Sequence, residues 1–207
     1  MAIKVIVFDF DGTLIESNQL KYDAYFELFP KEGRFTDVIR SVLAEMYEES
    51  RYVIIETILR RLNEITHEIL QKRCSDLAEQ YNDIVLAGAK TCPEKEGAEA
   101  LLDSLKEKYK VYVSSTTPDT PLKEIISFRN WDSYFEDAIG FPHKKDQTLE
   151  RILRFENVQP SEIVVVGDGK SDHQSAAAIG CFFIHVTDNF KLAEIGFMID
   201  GLGKQVV

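Results

Sequence analysis

Cysteine is scarce in this 207-residue chain, and basic residues fall short of acidic ones. The three cysteines, Cys74, Cys92 and Cys181, stand far apart and form no Cys-x-x-Cys pair. Such a set argues against a disulfide framework or a zinc site and fits a reducing cytoplasm. Long apolar runs are also missing, and none approaches the ~20 residues that a membrane-spanning helix needs. The opening Met1-Ala2-Ile3-Lys4-Val5 leads into an apolar run too short for a signal peptide and carries no cleavage pattern. Lys and Arg number 24 against 35 Asp and Glu, for a formal net charge of −11. A surface of that sign repels nucleic-acid backbones and anionic membranes, so neither is expected as a partner. Internal repeats, low-complexity tracts and flexible linkers are absent as well.

What remains is the composition of a soluble globular protein, 44% hydrophobic and 29% charged. The length fits one large domain, or a core with one insertion. Ile3 to Phe8 is a β-branched-rich apolar run that reads as a buried strand. It stops at the polar turn Asp9-Phe10-Asp11-Gly12-Thr13. Four helical patterns follow without a strand between them. The first holds Tyr22, Tyr25, Phe26 and Phe29 and ends near Pro30. The second holds Val38, Ile39, Val42, Leu43 and Met46, and the third Ile55, Ile58, Leu59 and Leu62. The fourth runs through Ile69, Leu70, Leu77, Ala78 and Tyr81. Together they predict a helical bundle over residues 16–90.

Beyond residue 90, helix and strand alternate. Strands are predicted at Val111–Val113 running into Ser114-Ser115, at Asp137–Gly140, at Ile163–Val166 and at Cys181–Val186. Apolar periodicity marks helices around Leu101, Leu122, Leu149 and Ala176. This alternation predicts a doubly wound parallel α/β sheet built from residues 1–15 and 91–207, interrupted after its first strand by the helical insertion.

Ligands of open parallel sheets bind beyond the carboxyl ends of the strands. Asp9 and Asp11 end the first strand and Ser114-Ser115 the second. Lys144-Lys145 lies in a loop before a helix, and Asp168 ends the fourth strand with Asp172 four residues on. Singly, each has a plain structural explanation. Asp-Gly is a common turn, a serine and threonine run can close a loop with its own hydroxyls, and Asp172 suits a helix N-terminus. Together they are suited to phosphoryl transfer. Several carboxylates at one sheet edge need a cation among them, and an all-oxygen donor set suits Mg²⁺. A carboxylate can attack phosphorus, a second can serve as acid and then base, and a serine and a lysine can hold the phosphoryl oxygens. Local cations of this kind would also overcome the acidic surface that an anionic substrate meets.

Asp9-Phe10-Asp11-Gly12-Thr13 resembles the Asp-x-Asp-Gly-Thr signature of the haloacid dehalogenase superfamily. Val113-Ser114-Ser115-Thr116-Thr117-Pro118 looks like its second motif, Lys145 its third, and Gly167-Asp168-Gly169-Lys170-Ser171-Asp172 its fourth, Gly-Asp-x-x-x-Asp. The motifs occur in the family's order between residue 1 and about 190. The resemblance implies Asp9 as nucleophile and metal ligand, and Asp11 as acid/base with its carbonyl on the metal. It implies Asp168 as a further ligand of Mg²⁺, Asp172 as a support of the metal directly or through water, Ser115 as holder of a phosphoryl oxygen, and Lys145 as partner of Asp9 and the phosphoryl group. Thr116, next to Ser115, is a further candidate contact to substrate. Ser114 competes with Ser115, and Lys144 with Lys145. Ser115 is chosen for its spacing to Pro118, and Lys145 for its spacing to Leu149, Ile152 and Leu153. Members that cleave carbon–halogen bonds lack an acid two residues after the nucleophile, so Asp11 favours phosphate chemistry.

The resemblance also makes residues 16–90 a cap closing over the site, with Leu14 to Asn18 as its flexible lead-in. In the polar break Glu49-Ser50-Arg51-Tyr52 between two of its helices, Arg51 is favoured over Lys21 and Arg40 as a substrate contact, against the plain reading of a solvated arginine at a helix start. Tyr22, Tyr25 and Phe26 read as cap core. The expected activity is hydrolysis of a small phosphorylated metabolite, a sugar phosphate or phosphoglycolate-like compound, through an aspartyl-phosphate. A phosphomutase shares every one of these residues. A signalling receiver also combines acidic residues, Mg²⁺, a hydroxyl and a lysine, but resembles neither the first motif nor the insertion. The pattern is equally that of a monomer and of a homodimer.

Overall fold

A computed structural model describes residues 2–47, 49–63 and 67–202. The chain forms two compact units, Met1–Glu16 with Cys92–Val207, and Ser17–Thr91. The first holds a five-stranded sheet in the order β3-β2-β1-β4-β5. Its strands are β1 Val5–Phe8, β2 Lys110–Pro118, β3 Asp137–Phe141, β4 Ile163–Gly167 and β5 Phe182–His185, and every pairing is parallel. All four residues of β1 are fully buried, as its unbroken apolar run requires of a central strand covered on both faces. The chain winds outward from β1 through β2 and β3, then returns to the other side for β4 and β5. That reversal makes the carboxyl edge of β1 and β4 the topological switch point, where such sheets open a crevice.

Helices α5 Ala98–Lys106, α6 Asp119–Phe128, α7 Lys145–Glu156, α8 Lys170–Ile179 and α9 Ile195–Leu202 belong to this unit. Strand parity assigns the faces. Val5 and Val7 of β1 and Tyr112 of β2 share one core with Leu149 and Ile152 of α7 and Ala176 of α8. Residues of the same parity at the strand ends, Asp9 and Ser114, therefore look toward the first turns of α7 and α8.

Strand β2 runs further than its apolar residues predict. Between Ser114, opposite Ile139, and Pro118, opposite Phe141, its pairing with β3 shifts. This irregularity lies against Gly140. A Cβ there would sit 2.4 Å from the Thr117 carbonyl oxygen and 2.7 Å from the backbone of Asp119. Those are main-chain atoms, which cannot rotate aside. Gly140→Ala is therefore expected to cost about 1–3 kcal/mol through overpacking. In thermal unfolding it should melt several degrees below the wild type. Gly33→Ala, where nothing lies within 4 Å, should not.

The second unit holds the α1 helix Asn18–Glu27, α2 Gly33–Met46, α3 Arg51–Leu62 and α4 His67–Thr91. Its core gathers Tyr25, Ile39, Val42, Ile55, Ile58 and Leu77, with Tyr22 and Phe26 packed against it. The aromatics are thus core residues, and the Tyr25 and Tyr81 rings lie 4.5 Å apart. Ser50 caps α3 by accepting the Val53 N–H, and Asn63 ends it in the left-handed region at φ 55°. Among the described residues no helix is long and apolar enough to cross a membrane.

The expected flexible lead-in at Leu14–Asn18 needs correction at its start. Leu14 and Ile15 are fully buried. Glu16 N–H donates to Pro93 O at 2.9 Å and Lys95 N–H to Leu14 O at 2.9 Å, so the outgoing and returning segments form an antiparallel ribbon. Buried backbone groups need partners, and here each segment supplies the other's.

Candidate active site

In the sheet register, Phe8 lies beside Val113 of β2 and Val166 of β4. One step on, Asp9, Ser114 and Gly167 stand level at the carboxyl edge. The Asp9 N–H continues the ladder by donating to Val166 O at 2.8 Å. The chain then reverses at Gly12, whose φ of 77° is the left-handed conformation that glycine adopts without strain. The turn closes with Leu14 N–H donating to Phe10 O at 2.9 Å and Gly12 N–H to Ile15 O at 2.8 Å.

Lys145 is the first residue of α7 and is only 8% exposed. Its Nζ donates to Asp9 Oδ1 at 2.8 Å and Asp172 Oδ1 at 2.6 Å. Lys144 precedes the helix and is exposed. Asp172 lies in the first turn of α8 and is buried. Its Oδ2 accepts the Gly169 N–H at 3.2 Å, where the helix N-terminus favours a negative charge. Gly167 leaves room for it, since a Cβ there would lie 2.4 Å from Asp172 Cγ. Asp168 follows β4. Its Oδ1 accepts the Thr13 hydroxyl at 3.4 Å, and His185 Nε2 lies 3.2 Å from its carbonyl oxygen.

Oxygens of Asp9, Asp168 and Asp172 lie within 4.8 Å of one another. Three carboxylates beside the Lys145 ammonium leave two uncompensated negative charges when all are ionised. That balance and the all-oxygen donor set fit one Mg²⁺. The electrostatics agree. Burial pushes the Asp9 carboxyl from 3.8 up to about 7, with Lys145 opposing and Asp172 adding to the rise. Burial raises Asp172 as well, against the pull of Lys145. For Lys145, burial disfavours the charge, but Asp9 and Asp172 outweigh it and hold the ammonium above its ordinary pKa.

Ser115 points away from Lys145, as its opposite parity requires. Its hydroxyl lies 3.4 Å from Asp11 Oδ2, whereas Ser114 lines the crevice with Asp9, Lys145 and Asp172. Thr116 is exposed. Arg51 lies in the helical unit, where its guanidinium is hydrogen-bonded to Asn82 Oδ1 and sits 5.6 Å from the Tyr81 ring centroid.

Two neighbours of the motifs escape a reading of the sequence. Thr117 donates its hydroxyl to Asp11 Oδ2 at 2.7 Å. The signal for it was available, because residues two apart on a strand share a face. Lys95, 5% exposed, reaches Gly12 O at 3.4 Å. It stands in an irregular segment with no periodicity to mark it.

A family model of haloacid dehalogenase-like hydrolases matches residues 3–180. Pyrophosphatase PpaX of Bacillus cereus is 22% identical over 187 residues, covering 83% of this chain and 77% of the relative. Phosphoglycolate phosphatase of Psychrobacter arcticus is 25% identical over 177 residues, covering 82% and 76%. A solved structure described as the HAD-hydrolase YfnB from Bacillus subtilis, bound to magnesium, matches with a TM-score of 0.73 at 13% identity. It covers 97% of this chain and 100% of that one, a likeness of fold.

Proposed function

Because the chain belongs to the haloacid dehalogenase-like hydrolases, we propose that it is a magnesium-dependent phosphatase of small phosphorylated metabolites, working through an aspartyl-phosphate on Asp9. The observation that carries this reading is the buried Asp9–Lys145–Asp172 array at the sheet edge. The Asp9 carboxylate attacks phosphorus, forming an acyl-phosphate bond as the ester P–O bond breaks. Asp11 gives its proton to the departing oxygen. A water that loses its proton to Asp11 then attacks phosphorus, and inorganic phosphate leaves with Asp9 restored. Lys145 holds a phosphoryl oxygen, Ser115 turns from Asp11 to hold another as charge moves across them, and Thr116 adds a further contact. Asp9, Asp168, Asp172 and the Asp11 carbonyl would hold Mg²⁺. When bound, the ion neutralises the carboxylates and draws the anionic substrate to the acidic edge.

In the same reading, residues 16–90 act as the cap that excludes water and selects substrate, with Arg51 as one contact. The names of the two relatives support a small phosphorylated substrate, and phosphoglycolate or a sugar phosphate fits. The test is a panel of sugar phosphates, phosphoglycolate and pyrophosphate, with and without Mg²⁺. Release of inorganic phosphate that chelation reduces to background is expected. Activity undiminished by chelation would overturn the metal assignment. Isomerised sugar phosphate without phosphate release would make the protein a mutase.

A further inference from the structure

Asp11 is gripped from β2 by a small buried network. Thr117 donates its hydroxyl to Asp11 Oδ2 at 2.7 Å, and Ser115 Oγ lies 3.4 Å from the same oxygen. Ser115 Oγ in turn accepts the Thr117 N–H at 3.0 Å. Asp11, Ser115 and Thr117 are all less than 8% exposed. The short contact belongs to Thr117, and it joins residues 106 positions apart. The fold goes to some length to make it. The register of β2 shifts between Ser114 and Pro118, and β3 carries a glycine at 140 so that the Thr117 backbone can lie against it.

Resting on the phosphatase reading above, we propose that Thr117 is the positioning residue of the acid/base. Its hydroxyl fixes the Asp11 carboxyl where it can deliver a proton to the leaving oxygen. Ser115 cannot hold Asp11 and the phosphoryl group with the same proton, so when it turns to substrate the Thr117 hydroxyl keeps its hold. Thr117 touches neither phosphorus nor the leaving group in this scheme and acts only through Asp11.

Leaving-group dependence tests this directly. A p-nitrophenolate departs without a proton, whereas an alkoxide needs one. The ratio kcat/KM reports the step that phosphorylates Asp9, before the shared hydrolysis of the intermediate. Thr117→Val keeps the shape and removes the hydroxyl. It should lower kcat/KM about 10- to 100-fold for the best alkyl phosphate of the panel, a fraction of what general acids contribute. For p-nitrophenyl phosphate the loss should be less than about threefold, and Thr117→Ser should restore the alkyl rate. If Thr117→Val does not fold, Thr117→Ala is read by the same ratio. Equal losses on both esters, no loss on either, or a serine variant as slow as the valine one overturns the proposal while the phosphatase reading stands. A wild type inactive on every ester overturns both.

Discussion

Asp9→Asn is expected to abolish turnover and, in metal-free buffer at pH 7, to raise the melting temperature. The loss of activity follows from the proposed role of Asp9 as nucleophile, for which a fall of about a thousandfold or more is the usual scale. The gain in stability follows from the site itself. Asp9 and Asp172 share one ammonium in a buried crevice, and burial lifts the Asp9 carboxyl from 3.8 to about 7. Between those values the folded state binds a proton that the unfolded chain has released. The metal-free wild type therefore loses stability as pH rises from about 4 to about 7. Asparagine carries no such slope and leaves Lys145 paired with Asp172. Melting curves of both proteins across that window should diverge with rising pH, by about 2–4 °C for each kcal/mol relieved. Adding Mg²⁺ should raise the wild type and close the gap. Parallel curves from pH 4 to 7 would refute the burial argument for Asp9.

Lys145→Met should be the most destabilising single change in the site. It fills the space but leaves Asp9 and Asp172 buried without their cation. Breaking a buried pair by removing one partner costs about 3–5 kcal/mol, and here two carboxylates lose the same partner. The raised pKa of Lys145 means that its contribution is complete at neutral pH and is lost only in strongly alkaline solution, as pH climbs past its unfolded value of 10.5 and through its folded one. Across pH 5–8 the difference between variant and wild type therefore comes from the carboxylates. It should grow with pH as they are forced to ionise. Lys145→Met combined with Asp172→Asn should recover much of the stability while staying inactive. Urea unfolding of the three proteins at pH 5 and pH 8 checks this. A Lys145→Met protein as stable as the wild type at pH 8 would show that the ammonium does not hold the carboxylates together.

Much of this was legible in order along the chain. Val5–Phe8 is continuously apolar because its strand is covered on both faces. Asp9, Asp168 and Asp172 directly follow or flank such runs, so their place at the carboxyl edge needs only the rule that parallel strands end together. The helical unit was equally visible, since amphipathic repeats without intervening strands bury their apolar faces on one another. Correction was needed where backbone pairing outran side-chain pattern. Strand β2 continues through polar Ser115–Pro118, and Leu14–Glu16 pairs with the returning segment.

The α/β frame and the place of Asp9, Asp168 and Asp172 at its carboxyl edge were thus determined by the sequence alone, because they rest on local periodicity and on residue types at fixed spacing. Only the tertiary structure separated Lys145 from Lys144, decided which of Ser114 and Ser115 meets Asp11 and which lines the crevice, and brought Thr117 and Lys95 to the Asp9–Thr13 loop. Those choices depend on which side of a strand or helix start faces a neighbour more than a hundred residues away for Thr117 and Lys145, and 83 away for Lys95. Neighbouring hydroxyls or ammoniums are chemically alike, and packing alone makes them different.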